Sequence, residues 1–408
     1  MSDSSAFTVA RPSPRVASID VLRGLTILTM IFVNDLAGLR DIPAWMKHFP
    51  SNQDGMTFVD VVFPAFLFIV GMSIPLAIGG RLDRGESSIR VFGHIAVRTV
   101  GLLIIGVFMV NMRGMNAAAT GMSADLWTFL AFVGVILVWN RYPASGGAWR
   151  GLSSALRCLG AGLLVYMAVI YRRGEGEQIT GMRTQWWGIV GLIGWAYLTA
   201  CVAYLLFRRQ PAGLMGVLGL LIAMYFGDKS GMLNFAGIVR EYVSLGSHIG
   251  GHSAITVAGV LLTMYVLEPA ADRTHARRIA GTLVFAAGLA AAGYLLRRPY
   301  GISKVQATPA WCLYSSAICC VLYAALYGIV DGLRSKRWAA FLTPAGANPL
   351  LAYILPGIVL AVLGMCGVEF LKTHYNAGLV GIVRSVLFAL AMLALTGLLA
   401  RLGIRLRL

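Results

Sequence analysis

Charged side chains are scarce in this chain. Asp, Glu, Lys and Arg make up 12% of its 408 residues, about half of the ~25% usual in a soluble domain. Hydrophobic residues make up 58%, and the mean hydropathy is +0.75. That balance excludes an ordinary soluble protein and predicts an integral membrane protein. Acids are the scarcer sign, 17 against 34 Lys and Arg, for a formal charge of +17. In a soluble protein such an excess would suggest nucleic acid. Here most Lys and Arg fall in short loops between apolar runs, so membrane topology accounts for them and no nucleic-acid partner is expected. Cysteine is sparse too. Cys158, Cys201, Cys312, Cys319, Cys320 and Cys366 lie in or beside apolar segments, with no CxxC and no metal-ligand spacing. They read as small packing residues. No small-residue cleavage site follows the polar stretch Met1–Ser18, so the first apolar run is a retained helix. No internal repeat of the transporter kind is visible.

What the chain does have is long apolar runs. A bilayer core of ~30 Å needs ~20 apolar residues as a helix. Twelve segments qualify: Ile19–Leu39, Met56–Gly79, Ile89–Met112, Met122–Trp139, Leu152–Tyr171, Trp186–Phe207, Ala212–Phe226, Ile249–Leu267, Ile279–Leu296, Val305–Val330, Ala339–Met365 and Gly378–Ala400. The seventh is short. The expected fold is an all-α polytopic membrane bundle of about 12 helices, or 11 or 10 if a short segment does not span. Residues 1–18 form a polar cytoplasmic segment and 19–408 a single transmembrane domain. The 48 glycines suit such a bundle, since small residues let helices approach closely. Gly188, Gly191 and Gly194, and likewise Gly213, Gly216 and Gly219, can each line one helix face. With a cytoplasmic N-terminus, eighteen loop Lys and Arg fall inside and twelve outside. This predicts cytoplasmic termini and an outward loop around His48.

Polar groups inside apolar runs are costly and therefore informative. Asp20 and Arg23, three apart, share a helix face and can pair. Asn34 lies near the far end of the same segment, and Asp60 lies in the next. Between them sits His48, in AWMKHFPSNQDG. A histidine there can exchange a proton near neutral pH, with a nearby carboxylate setting its tautomer. Spacing alone leaves it open between a base and an ordinary loop residue. His248 and His252, in SHIGGH, share a face at i and i+4. With no intervening Glu and no third ligand, they suit the lining of an outer cavity better than a metal site. Pro344, Gly346, Asn348, Pro349 and Pro356 interrupt one apolar run, which predicts a kink and a cavity that Asn348 could line.

The run SIDVLRGLTILTMIFVND, then KH, then DGMTFVDVVFPAFLFIVGMSI resembles the transmembrane acyltransferase family of heparan-α-glucosaminide N-acetyltransferase and its bacterial relatives. The later KVQATPAWCLYSS and GANPLLAYIL are similar to the same family's C-terminal signature. The resemblance implies acetyl transfer from cytoplasmic acetyl-CoA to an amine, or hydroxyl, of an extracytoplasmic amino sugar or glycan. It also implies a catalytic His48 with Asn34 as companion, Asp60 as the carboxylate before Phe63-Pro64, and Asp20 with Arg23 as the supporting ion pair. His48 would act as general base or as acetyl acceptor. Acetyl-CoA is then a substrate, and no metal is expected. The stretch between His48 and Asp60 is longer than in eukaryotic members. An expected arginine-rich R-x-P-G-V-L-Q-R element is replaced by SADLWTFLAFVG. The other function class that fits is a multi-pass transporter of an amino sugar or small glycan. Expected surroundings are membrane lipids and a bacterial inner membrane, with a homodimer compatible with the sequence.

Overall fold

The computed structural model describes residues 16–143, 147–186, 188–267, 274–368 and 373–408. Most of the polar N-terminal segment, with Arg11 and Arg15, lies outside the described residues. The protein is an all-α integral membrane protein. Each of the twelve apolar segments contains a helix: α1 Ala17–Leu36, α2 Val59–Leu82, α3 Ser88–Asn111, α4 Ala124–Trp139, α5 Arg150–Ile170, α6 Ile189–Phe207, α7 Pro211–Lys229, α8 Leu245–Val266, α9 His275–Leu295, α10 Pro309–Gly332, the pair α11 Arg337–Ala347 and α12 Pro349–Met365, and α13 Gly378–Arg401. Among the described residues ten are long and apolar enough to cross a membrane, or eleven if α11 and α12, bent by 77°, count as one broken span. The expected short segment is displaced. The seventh run reaches 19 residues because its helix continues through Gly227–Lys229, whereas α4 has 16.

Local chemistry sets many of the boundaries. Ser87, Ser123 and Thr274 cap α3, α4 and α9 by accepting the backbone N–H of Arg90, Leu126 and Arg277. Pro211, Pro309 and Pro349 open α7, α10 and α12, where the missing N–H costs nothing. The α11–α12 break is held by Asn348, whose amide donates to the Ile404 carbonyl at 3.0 Å and accepts the Leu406 N–H at 3.2 Å. The Ser18 N–H, at the start of α1, donates to Asp331 at the end of α10 (3.0 Å). These contacts gather both ends of the described chain at one end of the bundle.

Glycines decide how closely the helices approach. A methyl group on Gly71 of α2 would lie 1.9 Å from the Thr256 carbonyl oxygen of α8, and one on Gly259 of α8 would lie 2.1 Å from that of Phe68. Backbone therefore rests on backbone along this seam, at the middle of α2. The first glycine set behaves similarly. Gly188 faces Val110, Gly194 faces Leu103, and Gly191 is met by Gly106, joining α6 to α3. In the second set Gly213 meets the Phe207 ring at the end of α6, while Gly216 and Gly219 face open space. A partly buried ion pair adds a clamp between α1 and α13, where Asp35 takes both Arg384 and Ser385 at 2.5 Å.

Candidate active site

The loop between α1 and α2 folds back onto the first turn of α2 through one carboxylate. Asp60 Oδ2 accepts the backbone N–H groups of Phe49 and Thr57, each at 3.0 Å. The Thr57 hydroxyl donates to the Lys47 carbonyl at 2.8 Å. A Thr-x-x-Asp spacing lets the acid reach back three residues, as in half of a capping box. The other oxygen, Oδ1, lies 2.7 Å from Nδ1 of His48. The Asp60 side chain is 2% exposed and that of His48 is 48% exposed. An ionised carboxylate only accepts, so Nδ1 carries the proton. In the neutral ring this leaves the lone pair on Nε2, the geometry of a base with an orienting acid.

Pro64 adds a second constraint. It has no N–H to bond the carbonyl of the residue four before it, which is Asp60. That carbonyl instead accepts the indole N–H of Trp311, from the first turn of α10, at 3.3 Å. The aspartate is thus fixed by its side chain to the loop and by its main chain to α10.

Lys304 completes the group. Its ammonium lies 3.2 Å from Nδ1 and 3.3 Å from Nε2 of His48, and 4.0 Å from Asp60 Oδ1. A point nearly equidistant from both ring nitrogens lies on neither lone-pair axis, so the ammonium sits beside the ring between its two nitrogens. Burial lowers the pKa of Lys304 below the ordinary lysine value, and Asp60 partly offsets this. Sequence reading did not single it out. The signal was present, since Lys304 opens the KVQATPAWCLYSS run and Trp311 lies within it.

The other candidate residues fall elsewhere. Asn34 is exposed on the last turn of α1 and makes no hydrogen bond with His48 or Asp60. His248 and His252 do stack, with ring centroids 6.1 Å apart, but His252 does not line an outer cavity. Their segment, Leu245–His252, is a π-helical turn. Gly250 and Gly251 let it press against the carbonyls of Leu221 and Ala307. His252 is driven inside, 5% exposed, against Phe63 and Trp311. The pair therefore buttresses the indole that holds Asp60. Asn348, expected to line a cavity, is 3% exposed with both ends of its amide engaged by the C-terminal backbone.

Asp20 and Arg23 pair at 2.9 Å, at the opposite end of α1 from His48. Arg23 also donates to Ser73 of α2 at 2.8 Å and to the Gly346 carbonyl at 3.3 Å. The Asp20 side chain is 48% exposed, so the pair is not fully buried. Asp20→Ala should therefore cost little, about 0.3–0.5 kcal/mol as for exposed helical pairs. Arg23→Ala should cost more, about 1–3 kcal/mol, because the Gly346 carbonyl and the Ser73 oxygen lose their guanidinium donor, although the Ser73 hydroxyl still donates to Ile69. Thermal denaturation in detergent checks this, and equal losses would contradict it.

Arg23 and Arg98 stand at one end of a cavity of about 320 Å³ between α1, α2, α3, α6 and α12. Its other end, at Met30, Phe66 and Ile189, packs on Val59 and Val62 beside Asp60. Among the described residues, no group of three or more His, Cys, Asp or Glu is placed to hold a metal.

Comparison with known proteins adds to this geometry. The model of a domain of unknown function (DUF5009) matches residues 15–240. Heparan-alpha-glucosaminide N-acetyltransferase of Homo sapiens is 41% identical over 99 residues, covering 24% of this chain and 14% of the human protein. The Mus musculus protein of the same name is 41% identical over 98 residues, with the same two shares. The matched region is thus a small part of either relative.

Proposed function

The chain belongs to the family of the domain of unknown function DUF5009, and from that membership and the His48 site we propose that it is a membrane-embedded acetyltransferase. It moves an acetyl group from cytoplasmic acetyl-CoA to an amine, or hydroxyl, of an extracytoplasmic amino sugar or glycan. The observation that carries this reading is the His48 ring, oriented by buried Asp60 and flanked by Lys304. Partial identity to two N-acetyltransferases supports it. In this reading residues 19–408 form one transmembrane catalytic domain in a bacterial inner membrane, both termini cytoplasmic, with homodimers compatible.

In direct transfer, His48 Nε2 takes a proton from the neutral amine as its nitrogen attacks the thioester carbonyl. The C–N bond forms, the C–S bond breaks, and the proton passes to the departing CoA thiolate. Asp60 holds Nδ1–H throughout and balances the imidazolium. The Lys304 ammonium faces the charge that develops on the carbonyl oxygen. In the stepwise route Nε2 itself accepts the acetyl group and passes it to the amine. The 320 Å³ cavity, from Arg23 and Arg98 toward Asp60, suits the donor's arm, with the arginines toward its phosphates. Asn34, exposed near the same face, remains available to an incoming substrate.

A carrier would draw on the broken α11–α12 span, since discontinuous helices form transporter sites. The amide at that break is already spent on Ile404 and Leu406, which favours the enzyme. Supplying labelled acetyl-CoA to purified protein with glucosamine-type acceptors tests the proposal. Labelled acetylated product is expected, and acceptor flux without acetylation would overturn it.

Lys304 gives a pH test. Its lowered pKa means that its charge is lost at a lower pH than that of a free lysine, so activity should fall early on the alkaline side. Arginine stays charged throughout, so Lys304→Arg should carry the alkaline limb upward while Lys304→Met lowers activity about tenfold or more across the range. An alkaline limb identical in wild type and Lys304→Arg would remove Lys304 from the mechanism.

A further inference from the structure

We propose that the acceptor is membrane-anchored: an amine carried on a phosphate-bearing head group, with its apolar chain in a groove between α1, α2 and α10. This rests on the acetyltransferase reading and names the substrate class of the same site. The groove is about 610 Å³, and its lining includes Leu22, Leu25, Val61, Ala65, Ile318 and Leu322, with no charged residue. Ile318 and Leu322 are exposed on the outer surface of the bundle, so the groove is open to the hydrocarbon of the bilayer.

Its location separates it from an ordinary lipid-facing furrow. One end is formed by Met56, Thr57 and Phe58, and Thr57 is bonded to Asp60. It is also bounded there by Ile302, two residues before Lys304. Ile302 is at the same time a wall of a second, polar cavity of about 720 Å³ that holds Arg297, Arg298, Ser51 and Gln53. Arg297 is paired with Asp54 at 3.0 Å, and Arg298 is exposed. An apolar groove and a pocket holding Arg297, Arg298 and Asp54 therefore share Ile302, two residues before Lys304 of the catalytic group. A single amphiphile satisfies both: its chain lies in the groove, its phosphate faces the arginines, and its amine reaches His48 Nε2. A soluble sugar would use the pocket alone and leave the groove to bulk lipid.

The test uses full-length protein in phosphatidylcholine nanodiscs with labelled acetyl-CoA and two acceptors, glucosamine 1-phosphate and its dodecyl phosphodiester. The chain binds away from the reacting atoms, so it should lower KM more than it raises kcat. The KM ratio between the acceptors should be at least about tenfold, the least effect of one well-packed methylene in an apolar pocket. Ile318→Trp fills the groove from its lipid side and should bring the two KM values together. In parallel, labelled dodecyl phosphate should be retained by wild-type nanodiscs above the level of empty ones, and Ile318→Trp should remove the excess.

Equal KM values with good transfer would overturn the anchored acceptor and leave the acetyltransferase standing. A large ratio that survives in Ile318→Trp would reduce it to partitioning into the bilayer, which also overturns the groove. No transfer to either acceptor, with dodecyl phosphate still retained by wild type and not by Ile318→Trp, would keep an amphiphile site and reject the enzyme. Neither transfer nor retention would reject both.

Discussion

His48→Ala should reduce acetyl transfer by ~10²–10⁴-fold, the usual contribution of a positioned general base, while the protein stays folded. The half-exposed ring has Asp60 and Lys304 as its polar neighbours, so truncation removes a catalytic group and little packing. Donor binding should persist, because the cavity at Arg23 and Arg98 lies toward the other end of α1. Asp60→Asn should give a smaller loss. Its amide nitrogen cannot accept, so either the His48 contact or the loop N–H groups of Phe49 and Thr57 lose their partner. The measurements are labelled transfer, acetyl-CoA binding and thermal stability for both variants, with His252→Ala beside them. Near-wild-type transfer in His48→Ala, or a greater loss in His252→Ala, would move the site to the SHIGGH segment.

Gly71→Ala should leave almost no folded protein. The added methyl would meet the Thr256 carbonyl at 1.9 Å, and no flexible side chain is there to yield. Overpacking against side chains already costs ~1–3 kcal/mol. Here two helix backbones must separate, so the cost should exceed ~3 kcal/mol, a large share of a total stability of ~5–15 kcal/mol. Gly216→Ala is the control. Its methyl would enter open space, and replacing a helical glycine by alanine gains ~0.5–1 kcal/mol. The yield of monodisperse protein on size-exclusion chromatography measures both. A folded Gly71→Ala protein with wild-type stability would show that α2 and α8 are not in backbone contact.

The helices were legible because the twelve apolar runs outlast any soluble element, and their ends carry serine, threonine and proline signals. The Asp60–His48 contact was anticipated only through the family resemblance, which supplied Asp60 as the carboxylate; in the structure Asp60, in the first turn of α2, reaches back to the preceding loop. Lys304 was not anticipated: it lies 256 residues from His48, and nothing local to either marks the pairing. The fate of SHIGGH was hidden for another reason. Its i, i+4 pattern correctly put both rings on one face. Which way that face turns was decided by a π-helical turn and by glycines pressed on α7 and on the turn before α10. Asn348 misled because a polar residue at a helix break serves equally well as a ligand or as a clasp for backbone, and only the position of residues 404–406 decides.

Helix α10 works like a tie beam. At one end it is fastened to α1 through Asp331 and the Ser18 N–H. At the other its first turn carries Trp311 on the Asp60 carbonyl, preceded by a hydrogen-bonded turn of Ser303 and Thr308 that holds Lys304. The seat of α1 and the mounting of the catalytic lysine are thus two ends of one element. The position of Trp311 and Lys304 is therefore referenced to the far end of the bundle, where α10 meets the first turn of α1.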